Sequence, residues 1–409
     1  MNYLQNYTYL KDTINFNDKV IDFRNCTVHN FTFESNSSDI LPGKDKYCCK
    51  QHNFDFLENN LFHNNIPTIN DDVFIKDCEI SENKIFKYHI FLPKRVNKVS
   101  KIILLLHGFN EKSWNKYLPW AQYLSNNTGS AVILFPISFH MDRAPAEWND
   151  KRAMFDLSKK RKAYFPDIID SSLSNVATSM RLNYMPQRFI WSGLQSYYDI
   201  IKLIEEIKNN KFPIINKDAS VDLFGYSIGC MLAEILKLSN YKSYFTNSKA
   251  CLFCGGAVFN GFSPVSKFIL DSEANVAIHS YITEYLQKHV SKDNRIEHYL
   301  GETHPEGMIF RSMLDYHYMK KIRENLLRKN QQYFYSVALK NDKVIPYYEI
   351  INTMNGSERD INTIVDIIAP KYSYTHENPF PSIERYNEVI SDTFSLTFSK
   401  FADFFNKQL

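Results

Sequence analysis

The residues of this chain that could do chemistry begin with a serine held between two glycines, Gly225-Tyr226-Ser227-Ile228-Gly229. Small residues at the first and third positions of a G-x-S-x-G pattern suit a sharp turn from a strand into a helix, with the central serine in a strained backbone conformation. An apolar run begins at Val221 before the pattern, and an apolar-periodic helical stretch follows it. The segment therefore predicts a nucleophile, Ser227, facing the N–H groups of a helix N-terminus, which favour developing negative charge.

A serine hydroxyl is a weak nucleophile until a base removes its proton, and the base needs a carboxylate to fix its tautomer. We expect both partners downstream, at strand ends. Asp342 follows the apolar run Ser336–Leu339, and His376 lies between the last predicted strand and the last predicted helix. Asp342 could instead be a turn residue with an Asx-type bond. Other candidate carboxylates are Glu349, Asp366 and Glu377, and other candidate histidines are His140, His304 and His317.

In this chain order, the elbow serine, Asp342-Lys343-Val344-Ile345-Pro346 and His376 resemble the α/β-hydrolase superfamily, from about Asp72 to the C-terminus. The resemblance implies an α/β-hydrolase fold, in which a mostly parallel central sheet has helices on both faces. It also implies a catalytic triad of nucleophile Ser227, base His376 and acid Asp342. The chain is similar, too, to uncharacterised bacterial hydrolase-like proteins, which suggests no substrate.

The resemblance further implies an oxyanion hole. One N–H would come from Ile228, and the other from Phe109 in the loop His107-Gly108-Phe109, which departs from the glycine-rich form of that loop. We also predict substrate-binding roles for four residues, of which His140 and Arg143 follow a predicted strand, where open α/β sheets bind ligands. A structural loop is the alternative for His140, and packing within the elbow is the alternative for Tyr226. The four residues are His107, Tyr226, His140 and Arg143.

The elements that must position these residues are predicted by periodicity. Continuous apolar runs indicate strands buried on both faces, as in parallel sheets, and their alternation with helical patterns indicates βαβ units. Alternating residues in Asp72–Ile80 and Ile85–Leu92 predict an antiparallel hairpin around Ser81–Lys84. The predicted buried strands are Lys101–Leu106, Ala131–Ile137, Val221–Phe224, Ala250–Phe259, Gln332–Leu339 and Thr363–Ala369, and the clearest helices are Trp114–Ser125, Tyr197–Lys208 and Ile383–Asn406.

Two long segments interrupt this alternation. We predict an N-terminal extension over residues 1–70 and a hydrolase domain over residues 71–409, with insertions at about 138–195 and 260–330. The later insertion is mostly helical by pattern, and such insertions commonly form a cap over an active site. The aromatic-rich insertions favour an apolar pocket for an acyl or aryl group. The first insertion contains a basic run, Lys159–Lys162, which predicts a solvated face. A contact for an anionic substrate is the alternative.

Composition excludes several classes of protein. A net charge of +3, from 48 basic and 45 acidic residues, argues against a nucleic-acid partner. Seven scattered cysteines suit reduced thiols in the cytoplasm, and the pair Cys251-x-x-Cys254 lies in an apolar strand pattern, which favours core packing over a metal site. Neither a signal peptide nor a membrane span is evident. We expect neither a cofactor nor a metal, and the oligomeric state is not indicated.

The sequence thus predicts a serine hydrolase, esterase- or lipase-like, that cleaves a carboxylic ester, thioester or amide of a small-molecule acyl substrate through an acyl-enzyme. Two alternatives stay open. The same elbow could serve an acyltransferase, or the chain could be a non-catalytic binding protein that kept the fold.

Overall fold

The computed structural model describes residues 2–57, 75–94, 96 and 98–408. Eleven strands lie in these residues: β1 (Val20–Asp22), β2 (Cys26–Glu34), β3 (Lys46–Cys49), β4 (Phe54–Leu57), β5 (Ile85–Pro93), β6 (Val99–Leu106), β7 (Ala131–Leu134), β8 (Ile215–Tyr226), β9 (Ala250–Phe253), β10 (Phe334–Leu339) and β11 (Ile364–Ile368).

Nine of these strands form one central sheet in the order β1-β2-β5-β7-β6-β8-β9-β10-β11, while β3 and β4 pair separately as an antiparallel hairpin. The strands from β7 to β11 run parallel, whereas β5 is antiparallel to both of its neighbours, and β1 is antiparallel to β2. The register places Leu106, the last residue of β6, beside Gly225 near the end of β8. The two loops that follow these strands therefore emerge side by side.

Helices cover both faces of this sheet. The helices are α1 (Tyr3–Thr13), α2 (Ser81–Lys84), α3 (Leu118–Thr128), α4 (Lys151–Tyr164), α5 (Val176–Tyr184), α6 (Arg188–Lys208), α7 (Ile228–Ser239), α8 (Ser272–Ser280), α9 (Leu286–Lys292), α10 (Asn294–Leu300), α11 (Pro305–Ser312), α12 (Lys320–Asn330), α13 (Tyr347–Met354) and α14 (Asn387–Asn406). In β6, Ile102 and Leu104 face the core layer beneath α6 and α7, whereas Ile103 and Leu105 face the layer beneath α3 and α14. This architecture confirms the predicted α/β-hydrolase fold. Within the described ranges, no helix combines the length and the apolarity needed to cross a membrane.

The N-terminal residues extend the central sheet. Strand β2 pairs with β5 over its whole length, from Cys26 opposite Pro93 to Glu34 opposite Ile85. Helix α1 packs in the same layer as α14, where the ring centroids of Tyr3 and Phe394 lie 4.6 Å apart. The predicted boundary at about residue 70 lies outside the described residues.

The predicted hairpin of Asp72–Ile80 with Ile85–Leu92 is wrong in its first strand. Its second strand is β5, but the antiparallel partners of β5 are β2 and β7. In the described part of the first strand, Asp77–Glu79 forms a 3-10 turn because the buried Asp77 carboxylate pairs with Arg181 and Arg188 on distant helices. Residues 72–74 lie outside the described residues.

The two long segments are largely helical and are joined to each other. Residues 138–195 hold α4, α5 and the start of α6, and residues 260–330 hold α8 to α12. Arg161 of α4 is buried and makes two hydrogen bonds, of 2.7 and 2.9 Å, to the carboxylate of Asp271, the N-cap of α8. The predicted solvated face of Lys159–Lys162 is thus interrupted at Arg161, although the three lysines around it are exposed.

Strand β9 is shorter than predicted, ending at Phe253. Cys254 and Gly256 both take a positive φ, of 52° and 103°, which turns the chain away from the sheet. Cys251 and Cys254 are free thiols buried in the core, as the apolar pattern around them predicted.

Helix α7 approaches the end of β6 closely at Gly229. A Cβ atom on Gly229 would lie 2.3 Å from the backbone oxygen of Leu106 and 2.7 Å from that of His107. Backbone atoms at this distance have little freedom to move aside, so only glycine fits here.

We therefore expect Gly229→Ala to lower the free energy of unfolding by about 2–3 kcal/mol, through overpacking against backbone. Urea denaturation followed by circular dichroism measures this change. Gly261→Ala is the matched control, because its Cβ would meet the flexible side chain of Glu349 at 3.1 Å and more. The control should lose less than about 1 kcal/mol. Equal stability of the two variants would contradict the close approach of α7.

Candidate active site

The turn between β8 and α7 holds Ser227 in a rare backbone conformation. Its φ of 57° and ψ of −124° lie outside the regions that non-glycine residues usually occupy. The turn is tight enough that a Cβ atom on Gly225 would lie 2.5 Å from the Cα atom of Cys230. Ser227 therefore stands at the carboxyl edge of the sheet with its side chain ahead of the first turn of α7.

The structure brings Ser227, His376 and Asp342 together from three separate loops. The Nε2 atom of His376 lies 2.7 Å from Ser227 Oγ, and its Nδ1 atom lies 2.7 Å from Asp342 Oδ2. All three side chains are buried. The arrangement can pass the hydroxyl proton to the imidazole while the carboxylate holds the ring in one tautomer.

The loop after β10 fixes the Asp342 carboxylate. Its other oxygen, Oδ1, accepts hydrogen bonds of 2.8 and 3.1 Å from the backbone N–H groups of Val344 and Ile345. The Asx-type bond considered from the sequence is therefore present together with the contact to His376, and the two use different oxygens.

Three of the rival residues are engaged with other partners. Lys400 and Tyr335 bind the Asp366 carboxylate at 2.7 Å, and the Ser266 hydroxyl donates to Glu377 at 2.6 Å. His304 contacts Glu306 at 2.8 Å.

The loop that carries His376 is held from below by Tyr226. The Tyr226 hydroxyl donates to the backbone carbonyl of His376, and the Tyr226 ring stacks on the imidazole with a centroid distance of 5.7 Å. Lys116 links Tyr226 to the same loop, because its Nζ atom lies 4.4 Å from the centroid of the Tyr226 ring and 2.8 Å from the Glu377 carbonyl. Tyr226 is buried, so this placement supports loop positioning and not the predicted contact with substrate.

His107 fixes the loop that follows β6. Its Nδ1 atom lies 2.8 Å from the Gly108 carbonyl, and its Nε2 atom accepts from the Ile137 N–H at 2.9 Å. Burial, followed by the charge that His140 would carry, lowers the pKa of His107 well below its usual range. The ring is therefore neutral, with its proton on Nδ1, and both nitrogens serve the backbone instead of the predicted substrate.

The two predicted oxyanion donors lie on neighbouring loops. The Tyr117 hydroxyl accepts from the Gly108 N–H at 2.9 Å, which leaves the next N–H, that of Phe109, for another acceptor. Among the residues that the structure describes, neither Phe109 nor Ile228 has a partner for its backbone N–H. Both residues border the cavity that contains Ser227.

This cavity has an apolar wall. Most of the wall comes from the segment after β9, and Phe189 of α6 completes it. The lining residues are Phe109, Phe189, Ser227, Ile228, Phe259, Phe262, Pro264, Ile269, Leu270, Ile278 and Val344. Sequence reasoning missed the individual wall residues, because they are ordinary apolar residues that only the tertiary structure brings together.

His140 and Arg143, two of the predicted substrate-binding residues, differ in their placement. His140 borders two cavities that adjoin the first at Phe109 and Phe189. Its Nδ1 atom lies 2.8 Å from the Ser138 carbonyl, its Nε2 atom has no partner in the described ranges, and burial lowers its pKa to about 4. His140 therefore offers a neutral acceptor beside the pocket.

Arg143, in contrast, is fully buried. Its guanidinium binds Asp199 at 2.7 Å, Asn83 Oδ1 at 2.9 Å and the Pro136 carbonyl at 3.1 Å. The predicted substrate contact is not supported for Arg143, because these protein partners take up its donors.

Comparison with solved structures finds esterases at low similarity. A hyperthermophilic esterase from the archaeon Pyrobaculum calidifontis matches with a TM-score of 0.43 and 10% identity, over 98% of this chain and 89% of that one. Carboxyl esterase 2 from the mycorrhizal fungus Tuber melanosporum matches with a TM-score of 0.40 and 12% identity, over 78% and 80%. A thermostable esterase from Pseudomonas putida matches with a TM-score of 0.39 and 9% identity, over 99% and 88%.

These structural similarities are too weak to assign the fold, which is assigned from the sheet order and the elbow described above. A search of curated proteins found no matching sequence. A family model matches residues 1–406, nearly the whole chain, and its description is "Family of unknown function (DUF6051)". The chain belongs to the family DUF6051.

Proposed function

We propose that this protein is a serine hydrolase that cleaves a carboxylic ester through an acyl-enzyme. The observation that carries the proposal is the unbroken hydrogen-bonded chain from Ser227 Oγ through His376 to Asp342, with both links at 2.7 Å. The strained elbow supports it further, because backbone strain of this kind is concentrated at functional sites.

In the first half of the reaction, Ser227 Oγ attacks the substrate carbonyl carbon while its proton moves to His376 Nε2. The tetrahedral intermediate carries its negative charge on the former carbonyl oxygen. Collapse breaks the bond to the leaving alcohol, which takes the proton from Nε2, and leaves an acyl group on Ser227. In the second half, water repeats the sequence, releasing the carboxylic acid and restoring the serine hydroxyl.

The backbone N–H groups of Phe109 and Ile228 would stabilise the oxyanion. Each such donor typically contributes a factor of about 10²–10³ to turnover, because it is already oriented when charge develops. Helix α7 adds the favourable end of its dipole at the same point.

An apolar acyl group fits the wall around Ser227. Residues of both long segments line the pocket, which supports the proposal that these segments form the cap. The ion pair of Arg161 with Asp271 joins the two segments.

The free thiols at all seven cysteines support a cytoplasmic location.

An apolar pocket serves an acyltransferase equally well, so product analysis with and without an added acceptor alcohol separates the two reactions.

Ser227→Ala should abolish labelling by a fluorophosphonate probe and lower ester turnover by at least about 10⁴-fold, because no other group would form the acyl-enzyme. Gel fluorescence and hydrolysis of p-nitrophenyl esters of several chain lengths give the two readouts. Ser192→Ala is the control, since Ser192 borders the adjoining cavities but donates only to the Phe189 carbonyl. A folded wild type that resists the probe, or a Ser227→Ala variant that is still labelled, would refute the proposal.

Asp342→Asn should lower kcat by roughly 10³–10⁴-fold without unfolding the protein, because an amide neither fixes the productive tautomer nor stabilises the imidazolium. Steady-state kinetics measure the loss. Asp366→Asn tests the rival carboxylate and should leave kcat within about twofold, since its partners are Lys400 and Tyr335. If the two variants exchanged these phenotypes, the acid would be Asp366.

Tyr226→Phe should lower kcat about fivefold, because one lost hydrogen bond to the His376 loop is worth about 1 kcal/mol. KM should change little, since Tyr226 lies beneath the loop. Tyr335→Phe removes a hydroxyl that bonds to Asp366 and serves as the control. A raised KM with unchanged kcat in Tyr226→Phe would instead indicate a substrate contact.

A further inference from the structure

Four potential metal ligands converge on the side of the molecule where the β3–β4 hairpin meets α10 and α11. They are Cys49 at the end of β3, His52 in the hairpin turn, His298 in α10 and His304 at the N-cap of α11. One ligand atom from each residue lies within 4.8 Å of the other three. None of the four takes part in the proposed triad.

The spacing of these atoms fits a tetrahedral zinc ion. Zinc–sulfur and zinc–nitrogen bonds of about 2.3 and 2.05 Å at tetrahedral angles place sulfur about 3.6 Å from nitrogen, and two nitrogens about 3.3 Å apart. Cys49 Sγ lies 3.5 Å from His52 Nδ1 and 3.4 Å from His304 Nε2. His52 Nδ1 lies 3.3 Å from His298 Nε2. Three of the six pairs of ligand atoms are therefore already at ligand–ligand distances, and the remaining three pairs lie within 4.8 Å.

A hydrogen bond to Glu306 fixes the orientation of the His304 ring. Its Nδ1 atom lies 2.8 Å from Glu306 Oε1, and the Tyr198 hydroxyl of α6 donates to the same oxygen at 2.7 Å. A carboxylate that accepts from one imidazole nitrogen leaves the other nitrogen with a lone pair, as is usual for histidines that bind a metal. Both His304 and Glu306 are buried, at 1% and 5% exposure, so this pairing is shielded from water.

Helix α11 approaches the end of α10 closely just after His304. A Cβ atom on Gly307 would lie 1.6 Å from the Tyr299 carbonyl oxygen, so only glycine lets the first turn of α11 meet the end of α10 there. This contact brings His304 next to His298. The Tyr299 ring stacks on the His304 imidazole with centroids 4.8 Å apart, which fixes the ring plane.

We propose that Cys49, His52, His298 and His304 bind one zinc ion in a structural, four-coordinate site. One thiolate and three neutral imidazoles suit zinc, and four protein ligands leave no position open for a substrate. A thiolate, three neutral rings and Zn²⁺ carry a net charge of +1, which the Glu306 carboxylate balances.

The zinc site would link the β3–β4 hairpin to the segment of residues 260–330, which borders the pocket. Helix α11, which begins after His304, also carries Phe310 into the cavity shared with Ile228 and Met231. The proposal is independent of the proposed hydrolase chemistry, because its ligands and its readouts involve neither Ser227 nor His376.

The test uses the full-length protein, expressed in zinc-supplemented medium without a histidine tag. Elemental analysis should find about one zinc per chain after gel filtration. Replacement by Co²⁺ should give intense visible d–d bands of four-coordinate cobalt and a near-ultraviolet thiolate charge-transfer band. Removal of the metal by a chelator should lower the melting temperature, and added zinc should restore it.

Matched variants locate the ligands. Cys49→Ser should lose the charge-transfer band and most of the zinc, whereas Cys48→Ser, at the exposed neighbouring thiol, should keep both. His52→Ala, in the exposed turn, gives a second ligand variant if Cys49→Ser fails to fold. Glu306→Gln should weaken zinc affinity about tenfold or more.

Wild-type protein that lacks zinc and gives no four-coordinate cobalt spectrum would overturn the proposal. So would a full equivalent of zinc in Cys49→Ser or His52→Ala, or one equivalent of a different metal in the wild type.

Discussion

The close packing of α7 against the ends of β6 and β9 is the constraint on which the site depends. The helix can reach this position only because Gly225, Gly229 and Gly255 carry no side chain: a Cβ on Gly255 would lie 2.7 Å from the Ser227 carbonyl oxygen. The serine is thereby held at a φ of 57°, a strain of about 1–3 kcal/mol. Burial of the apolar face of α7 offsets it, since one fully buried side chain such as Leu236 contributes about 1.5–3 kcal/mol.

The same constraint orders the loops around the serine. Because β6 and β8 are adjacent and parallel, the His107–Phe109 loop emerges beside the elbow, and buried polar groups hold its conformation. His107 uses both ring nitrogens on backbone groups, while Tyr226 reaches from the elbow to the His376 carbonyl. Each of these bonds is shielded from water, so losing one leaves an unsatisfied polar group and displaces a loop. The geometry proposed for catalysis is therefore set by residues that do not touch the substrate.

Local patterns in the sequence predicted the parts of this arrangement that are local. Runs of buried apolar residues indicated the parallel strands, and the glycine spacing indicated the elbow at Ser227. The pairing of β5 with β2 was not predictable in this way, because residues 35–84 separate the two strands in the sequence. Asp77, likewise, pairs with arginines on helices far along the chain. The apolar pocket wall was missed for the same reason. Cys49 and His304 lie in segments far apart, each with a weak spacing signal, so only the fold shows that they meet.

The central claim is that Ser227 carries the acyl group during turnover. Rapid quenching of the wild-type protein with a p-nitrophenyl ester, followed by intact-mass and peptide mass spectrometry, tests this claim most directly. The account predicts a burst of nitrophenol approaching one equivalent and a matching acyl adduct on the peptide that contains Ser227. Steady ester turnover with the adduct on another residue, or with no burst and no adduct under conditions where deacylation is slowed by low temperature, would contradict it.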